Sequence, residues 1–197
     1  MINRKALFVT AGVLITALML SSLAVPGTIR SEAQTDTNPN IMSIYLLIQG
    51  IPGESIDINH ISWIDIEAFN WSEAAATLAA GRAAGVVSIK DFFFVTQTSK
   101  ASPKLFLAVA TGRHIPQATV QCYTGTGENQ VEFLEFRFDD VFVTSYNIVS
   151  SASDVRPLDQ FSIAFGKITM TYWQISEGGG QGSSTTAYYD LTTRRGA

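Results

Sequence analysis

The chain has 197 residues, of which 46% are hydrophobic and 15% charged, so it is long enough for one packed domain with an additional segment. Its formal net charge of −4 at pH 7 argues against nucleic acid as the main partner. A single cysteine, Cys122, excludes an internal disulfide framework and a cysteine-based zinc site. We interpret it as a small apolar residue buried on a strand.

The first 33 residues have the pattern of an export signal rather than of a folded element. Arg4 and Lys5 give a positively charged start, and an uncharged, mostly apolar run follows over residues 6–25. Pro26 then interrupts the run. A short basic start followed by an apolar stretch is typical of a secretory signal peptide. We therefore expect an exported protein, periplasmic or extracellular.

Small residues at two places fit the requirements of a signal cleavage site. We predict cleavage between Ala33 and Gln34, with Ala24 marking a second candidate. About 20 apolar residues can also span a bilayer, so an uncleaved anchor is an alternative and would be the sole membrane contact. A misassigned start codon is a third reading. Residues 34–42 are then a flexible, polar lead-in to the domain over 43–197.

The first half of that domain predicts strands separated by a loop. Residues 43–48 are apolar and rich in strand formers, and residues 64–68 alternate apolar and acidic side chains. Residues 73–85 are alanine-rich but contain two glycines, which predicts a protruding loop with at most one helical turn. Residues 86–98 predict a strand. Its three successive phenylalanines, 92–94, place bulk on both faces, so we expect it to be covered on both sides.

One segment predicts a helix. Ser102 is suited to cap its start, and Pro103 sits in the first turn, where its missing N–H costs nothing. Gly112 is suited to end it. The residues expected to face the core are Leu105, Ala108 and Val109.

The remaining chain alternates apolar and polar residues and predicts β structure. A bulge is expected at Asp139 and Asp140, and residues 178–184 predict a flexible glycine-rich loop. With about eight strands, one helix and no alternation of strands with helices, we predict a mainly β, closed or nearly closed antiparallel barrel with one flanking α-helix. The predicted strands of this part cover residues 119–123, 134–138, 141–148, 161–165, 168–172 and 187–192.

Candidate catalytic groups do not combine into a site. Neither His60 nor His114 lies in a nucleophile elbow or a metal-spaced pair. We interpret His114 as structural and His60 as solvated or hydrogen-bonded in a polar turn. Asp139 and Asp140 are strand neighbours and so point to opposite faces. The glycine-rich residues 178–184 lack the lysine of a phosphate-binding loop. We therefore predict no catalytic residue, no cofactor and no metal, and we do not expect an enzyme.

Several short motifs in order resemble the haemolysin-coregulated proteins (Hcp), the ring-forming tube subunits of type VI secretion systems. The resemblance runs from about Ser43 to the C-terminus, and its order and spacing are more specific than any one motif. The segments that carry it are Gly-Glu-Ser at 53–55 with Trp-Ile-Asp at 63–65, Gly-Arg-His at 112–114 with Pro-Gln-Ala at 116–118, Glu-Asn-Gln-Val-Glu at 128–132, and Tyr-Asp-Leu at 189–191.

The resemblance implies a β-barrel with one flanking helix, six copies of which close into a ring. Rings of this family stack head to tail into a tube that is expelled from the cell, and small effector proteins can travel in the lumen. An extended loop early in the chain makes part of the contact between rings. Its equivalent here is residues 73–85, so Glu73, Leu78 and Arg82 are the predicted ring-stacking residues.

The signal segment departs from the family pattern, because tube-building members assemble in the cytoplasm without one. The leading hypothesis is therefore a non-enzymatic, self-assembling, ring-forming protein that is exported by its signal peptide. The alternative is an exported monomeric binding module or secreted effector on the same barrel. A hydrolase is the weakest hypothesis, because the sequence supplies no matched nucleophile, base and orienting group.

Overall fold

A computed structural model describes residues 42–77, 83–125 and 129–197. In these ranges the chain forms twelve strands and one helix, more strands than the roughly eight predicted. Two predicted strands are each divided, the strands at 73–77 and 195–196 were not predicted, and the predicted strands at 134–138 and 141–148 are one strand. In chain order the elements are β1 (Met42–Ile48), β2 (Ile64–Asp65), β3 (Ala68–Asn70), β4 (Glu73–Thr77), β5 (Ala83–Ile89), β6 (Phe92–Gln97), α1 (Ser102–Thr111), β7 (His114–Thr124), β8 (Val131–Val149), β9 (Leu158–Ala164), β10 (Lys167–Ile175), β11 (Gln181–Asp190) and β12 (Arg195–Gly196).

Ten of these strands form one antiparallel sheet, and β4 pairs with β5 in a separate two-stranded sheet. The order in the large sheet is β12-β11-β10-β8-β7-β1-β2, and a branch leaves β8 through β9 and β6 to β3. One edge of β8 pairs with β7 as far as Phe142. The other edge pairs first with β10 and then with β9. The predicted mainly β, antiparallel fold with one helix is confirmed.

The sheet curls so that β2, at one end of the main strand order, approaches β3, at the end of the branch. The amide of Ile66 donates to the carbonyl of Ile44 on β1 at 2.9 Å. The next amide, that of Glu67, donates to the carbonyl of Val95 on β6, also at 2.9 Å. Two adjacent residues therefore bond to β1 on one side and to β6 on the other, although no continuous ladder joins β2 to β3.

The core inside this curled sheet is dominated by stacked phenylalanines. On β6, Phe92 and Phe94 are fully buried, with ring centroids 4.9 Å apart. Phe94 continues the stack to Phe161 on β9 at 5.2 Å. Phe93 is only half-buried, because alternate side chains point to the other face of the strand. The second face of this strand is therefore covered in part.

The helix α1 packs on the sheet through Leu105 and Ala108, as predicted, and ends at Gly112 with φ of 60°. Its start differs from the expectation, because the N-cap is Ala101 and no side chain caps the helix. The hydroxyl of Ser102 instead donates to the carboxylate of Asp159, which is fully buried on β9. A carboxylate at this position complements the positive end of the helix dipole.

Two segments predicted as loops lie largely in paired strands. Most of residues 73–85 belong to β4 and β5, since alanines tolerate an extended backbone when strands can pair. The stretch 178–184 is also shorter as a loop than expected. A tight turn closed by the bond from the amide of Ser176 to the carbonyl of Gly180, at 2.8 Å, leads directly into β11.

The expected bulge at Asp139 and Asp140 takes another form. The pairing register of β8 is unbroken at these residues. The register between β8 and β9 changes further along, between Val143 and Ser145. Asp140 instead has a left-handed backbone with φ of 55°. The amide of Gly166 is within hydrogen-bond distance of the carbonyls of both aspartates, at 2.9 and 3.1 Å.

Phe93 and Phe94 are neighbours on β6 whose side chains point to opposite faces of the strand, so their substitutions can be compared in a stability test. Replacing Phe94 with alanine should destabilise the fold by about 3–5 kcal/mol, because it removes a buried ring and leaves a cavity. The matched control, Phe93→Ala, should cost about 1 kcal/mol. Urea unfolding of the two variants measures both values. Equal losses would contradict the assignment of Phe94 to the central stack.

Candidate assembly surface

The inner face of the large sheet changes from core to surface across its width. One row of register partners on this face runs through Leu46, Val120, Phe136, Met170 and Ala187. The first two are fully buried, whereas Met170 is 42% exposed and Ala187 is exposed. The strands β10 and β11, here called the wing, therefore carry the apolar inner face beyond the core.

The wing and the β4–β5 hairpin enclose a groove of about 490 Å³. Its lining is apolar except for Glu73, the first residue of β4. The principal lining side chains are Trp71, Val87, Ile168, Met170 and Tyr189. An exposed apolar surface of this kind commonly marks a binding or interaction site.

Trp71 fixes the base of the hairpin to the core. Its ring is stacked on that of Phe92, with centroids 6.0 Å apart and planes 11° from parallel. Its indole N–H donates to the carbonyl of Lys90 at 3.0 Å. The amide of Lys90 in turn donates to the carbonyl of Ser72 at 3.1 Å. These contacts hold Glu73 at the edge of the groove.

The structure locates one of the predicted ring-stacking residues. Glu73 lines the groove together with Met170. The distance between these two residues in the sequence could not indicate that they lie near each other. Leu78 and Arg82 lie outside the described residues. The predicted cleavage residues, Ala33 and Gln34, lie outside them as well.

A second exposed apolar surface lies on residues 53–63, here called the isoleucine loop. Its backbone is ordered by hydrogen bonds from the amide of Ser62 to the carbonyl of Ser55 at 2.9 Å, and from the amide of Ser55 to the carbonyl of Trp63 at 3.0 Å. Three isoleucines nevertheless point to solvent. They are Ile56, Ile58 and Ile61, which are 96%, 83% and 66% exposed.

His60 attaches this loop to the outer face of the sheet. The imidazole is 1% exposed and stacks on the ring of Tyr45, with centroids 4.0 Å apart and planes 3° from parallel. Its Nδ1 lies 2.6 Å from Oδ1 of Asp57, and its Nε2 lies 3.0 Å from Oε1 of Gln121. The sequence alone did not indicate that His60 is buried, although the spacing of Asp57 and His60 suits a local contact.

Acidic side chains lie close to Gln121 and to Asp57. The amide of Gln121 donates to Oε2 of Glu135 at 3.0 Å. Burial and the nearby charge of Glu135 raise the pKa of Glu132, whose Oε1 is buried with no hydrogen-bond partner in the described structure. Burial, followed by the charge of Glu132, raises the pKa of Tyr123 to about 12. Burial opposes ionisation of Asp57, but hydrogen bonds from His60 and the amide of Asn59 outweigh it and lower the pKa of that carboxyl.

The other predicted chemical groups are separated from these surfaces. His114 forms an exposed pair with Asp140, with Nε2 3.2 Å from Oδ1. Within 42–77, 83–125 and 129–197, no three His, Cys, Asp or Glu side chains are grouped closely enough to hold a metal ion. The helix in these ranges is too short and too polar to cross a membrane.

A curled antiparallel sheet that exposes apolar surface on both of its faces is suited to binding or assembly. The family described as type VI secretion system effector, Hcp, matches residues 45–172. The chain is 27% identical over 134 residues to the protein hcp1 of Pseudomonas aeruginosa, an alignment that covers 66% of this chain and 83% of that protein.

Two solved structures share the fold. Hcp1 from Salmonella typhimurium superposes with a TM-score of 0.66 at 26% identity, covering 79% of this chain and 99% of that one. A type VI secretion system effector from Yersinia pestis gives a TM-score of 0.60 at 29% identity, covering 75% and 98%. The chain belongs to the Hcp family of type VI secretion system proteins, which confirms the resemblance found in its motifs.

Cys122 provides a test of how tightly the sheet beneath the isoleucine loop is packed. It is fully buried on β7, and burial together with the charge of Glu132 raises its pKa to about 12. The buried thiol should therefore stay protonated and resist an aromatic disulfide reagent between about pH 7 and 9, reacting only on unfolding. A second cysteine at the exposed position Ser184→Cys should react at once and serve as the control. Rapid labelling of native wild-type protein would contradict this packing.

Proposed function

We propose that this protein is a non-enzymatic, self-assembling member of the Hcp family that forms homohexameric rings. The observation that carries the proposal is the pair of apolar surfaces on opposite faces of one sheet. The groove opens on the inner face of the wing, and the isoleucine loop lies on the outer face above Tyr45. Two different surfaces on one chain suit head-to-tail contacts, which give rings when the rotation closes.

The size of the surfaces indicates that both contribute. Burying one isoleucine side chain is worth about 1.5–3 kcal/mol. Association costs at least about 4 kcal/mol in lost freedom of motion, and a stable contact buries about 800 Å² on each partner. The three isoleucines together contribute about 4.5–9 kcal/mol, which lies within the range of about 4–15 kcal/mol for that cost. A stable ring therefore requires the groove and its surroundings as well.

The hairpin β4–β5 is the proposed contact between stacked rings, with Glu73, Leu78 and Arg82 as the contacting residues. Its separation from the ten-stranded sheet supports this assignment, since a small independent sheet can reach a neighbour without disturbing the barrel. The partners are then further copies of the chain, with small effector proteins as cargo in the lumen. The net negative charge speaks against nucleic acid in that role.

Export through the N-terminal segment is the second part of the proposal. Residues 1–33 act as a signal peptide, and the mature protein functions in the periplasm or outside the cell. Sequencing the N-terminus of protein recovered from the periplasm or medium should give Gln34 as the first residue. Recovery of the protein in the membrane fraction with Arg4 and Lys5 retained would show that the segment remains an anchor.

An exported monomeric binding module is the competing function, and the groove favours it independently. A volume of about 490 Å³ lies within the usual range of about 300–1,000 Å³ for small-molecule sites. In that case Met170, Tyr189 and Trp71 would contact an apolar ligand and the protein would remain single.

Native mass spectrometry of residues 34–197 separates the two functions. Self-assembly predicts a species of about six times the monomer mass. Met170→Glu should lower the ring population at least tenfold, because it places a charge in the groove. Thr186→Glu is the control, since it adds the same charge on the outer face of β11. A wild-type protein that stays monomeric at all concentrations would refute the ring.

A further inference from the structure

A line of four polar side chains joins the isoleucine loop to the sheet beneath it. It begins at Asp57, whose Oδ1 lies 2.6 Å from Nδ1 of His60. Nε2 of His60 lies 3.0 Å from Oε1 of Gln121. The line ends where Nε2 of Gln121 lies 3.0 Å from Oε2 of Glu135. Three consecutive contacts thus link a loop carboxyl to a carboxyl on β8.

The number of donors in this line depends on one additional proton. Each of the three contacts needs one hydrogen. Gln121 faces its two neighbours with one donor end and one acceptor end, whichever way its amide is turned. A neutral imidazole adds one donor, and two carboxylates add none. The usual forms at pH 7 therefore supply two hydrogens for three contacts, and one proton more is needed to complete the line.

We propose that this line is a proton-binding clamp that holds the isoleucine loop against the sheet. With the amide orientation observed, the proton resides on His60, which then donates from both ring nitrogens. Loss of the proton leaves two acceptors facing each other. Turning the amide of Gln121 only moves this conflict from His60 to Glu135.

Acidic and aromatic side chains surround the imidazole. From the sheet, the ring faces Tyr45 on β1, Tyr123 on β7 at 5.0 Å between centroids, and the acidic Glu132 and Glu135 on β8. From the loop it faces Asp57 and the ring of Trp63, whose centroid is 4.9 Å away. The carboxylates and aromatic faces attract a cation. Since its pKa is raised to about 12, Tyr123 stays neutral at ordinary pH.

The clamp makes the order of the isoleucine loop depend on pH. The folded loop binds one proton that the opened loop releases, so the loop is held at low pH and loosens as pH rises. The effect lies between the pH at which the opened loop loses the proton and the higher pH at which the folded loop loses it. Over that interval the equilibrium constant for opening should increase by up to tenfold per pH unit. If the isoleucines contact a neighbouring copy, as the proposed function holds, the contact weakens over the same interval.

Amide hydrogen exchange on the isoleucine loop tests the clamp, with Glu135→Gln as the decisive variant. A glutamine at 135 supplies the missing donor without an additional proton, so all three contacts form with neutral His60. After correction for intrinsic exchange, protection of Ser55, Ser62 and Trp63 should fall with rising pH in the wild type. In the variant it should stay constant between about pH 7 and 9, where an ordinary histidine in the opened loop is also mainly neutral. The same pH dependence in both proteins would overturn the clamp.

Nitrogen chemical shifts of the two histidines give a second measurement that needs no substitution. His60 should show two protonated ring nitrogens wherever the loop is protected, whereas the exposed His114 serves as the internal reference. A single protonated nitrogen on His60 in a protected loop, with Glu135 ionised, would also overturn the proposal. Both measurements work on a monomer, so failure of the ring and failure of the clamp remain distinguishable.

Discussion

The architecture depends on one long strand that changes partner along one edge. The 19 residues of β8 span about 60 Å. The later part of β8 pairs with β9 and encloses the core, while the earlier part pairs with β10 and supports the wing. The change occurs at Gly166, where an added side-chain carbon would lie 3.0 Å from Cβ of Asp140. A larger residue there would be crowded against the side chain of Asp140.

This division gives the protein both its core and its exposed apolar surface. Side chains on one row keep the same apolar character from Leu46 to Met170, but only the inner members meet a facing wall. The neighbouring row of register partners, Tyr45, Gln121 and Glu135, points to the outer face of the sheet. The isoleucine loop is attached to this outer face. A single sheet thus presents unlike surfaces on its two sides, which is the geometric requirement for head-to-tail contact.

Alternation in the sequence predicted most of the strands, because each side of a sheet meets a different environment. It failed where contacts distant in sequence decide the structure. Ser102 has the chemistry of a cap, yet its hydroxyl bonds to Asp159, 57 residues away. The alanines after Glu73 pair as a hairpin, which intrinsic preference alone does not indicate. His60 is buried only because Tyr45 and Gln121 lie beneath it, and no local pattern records that.

Exposed apolar surface beside strand edges invites unspecific pairing, and the wing limits this by its composition. In the described structure, β12 pairs with β11 only at Tyr189 and Asp190. The preceding residues 183–186 are serines and threonines, which add little apolar surface to the edge of the sheet. The apolar residues are placed instead in the groove, where Trp71 and the hairpin define its shape. In the proposed assembly, selectivity for a partner would come from fit within the groove rather than from the open edge of β11.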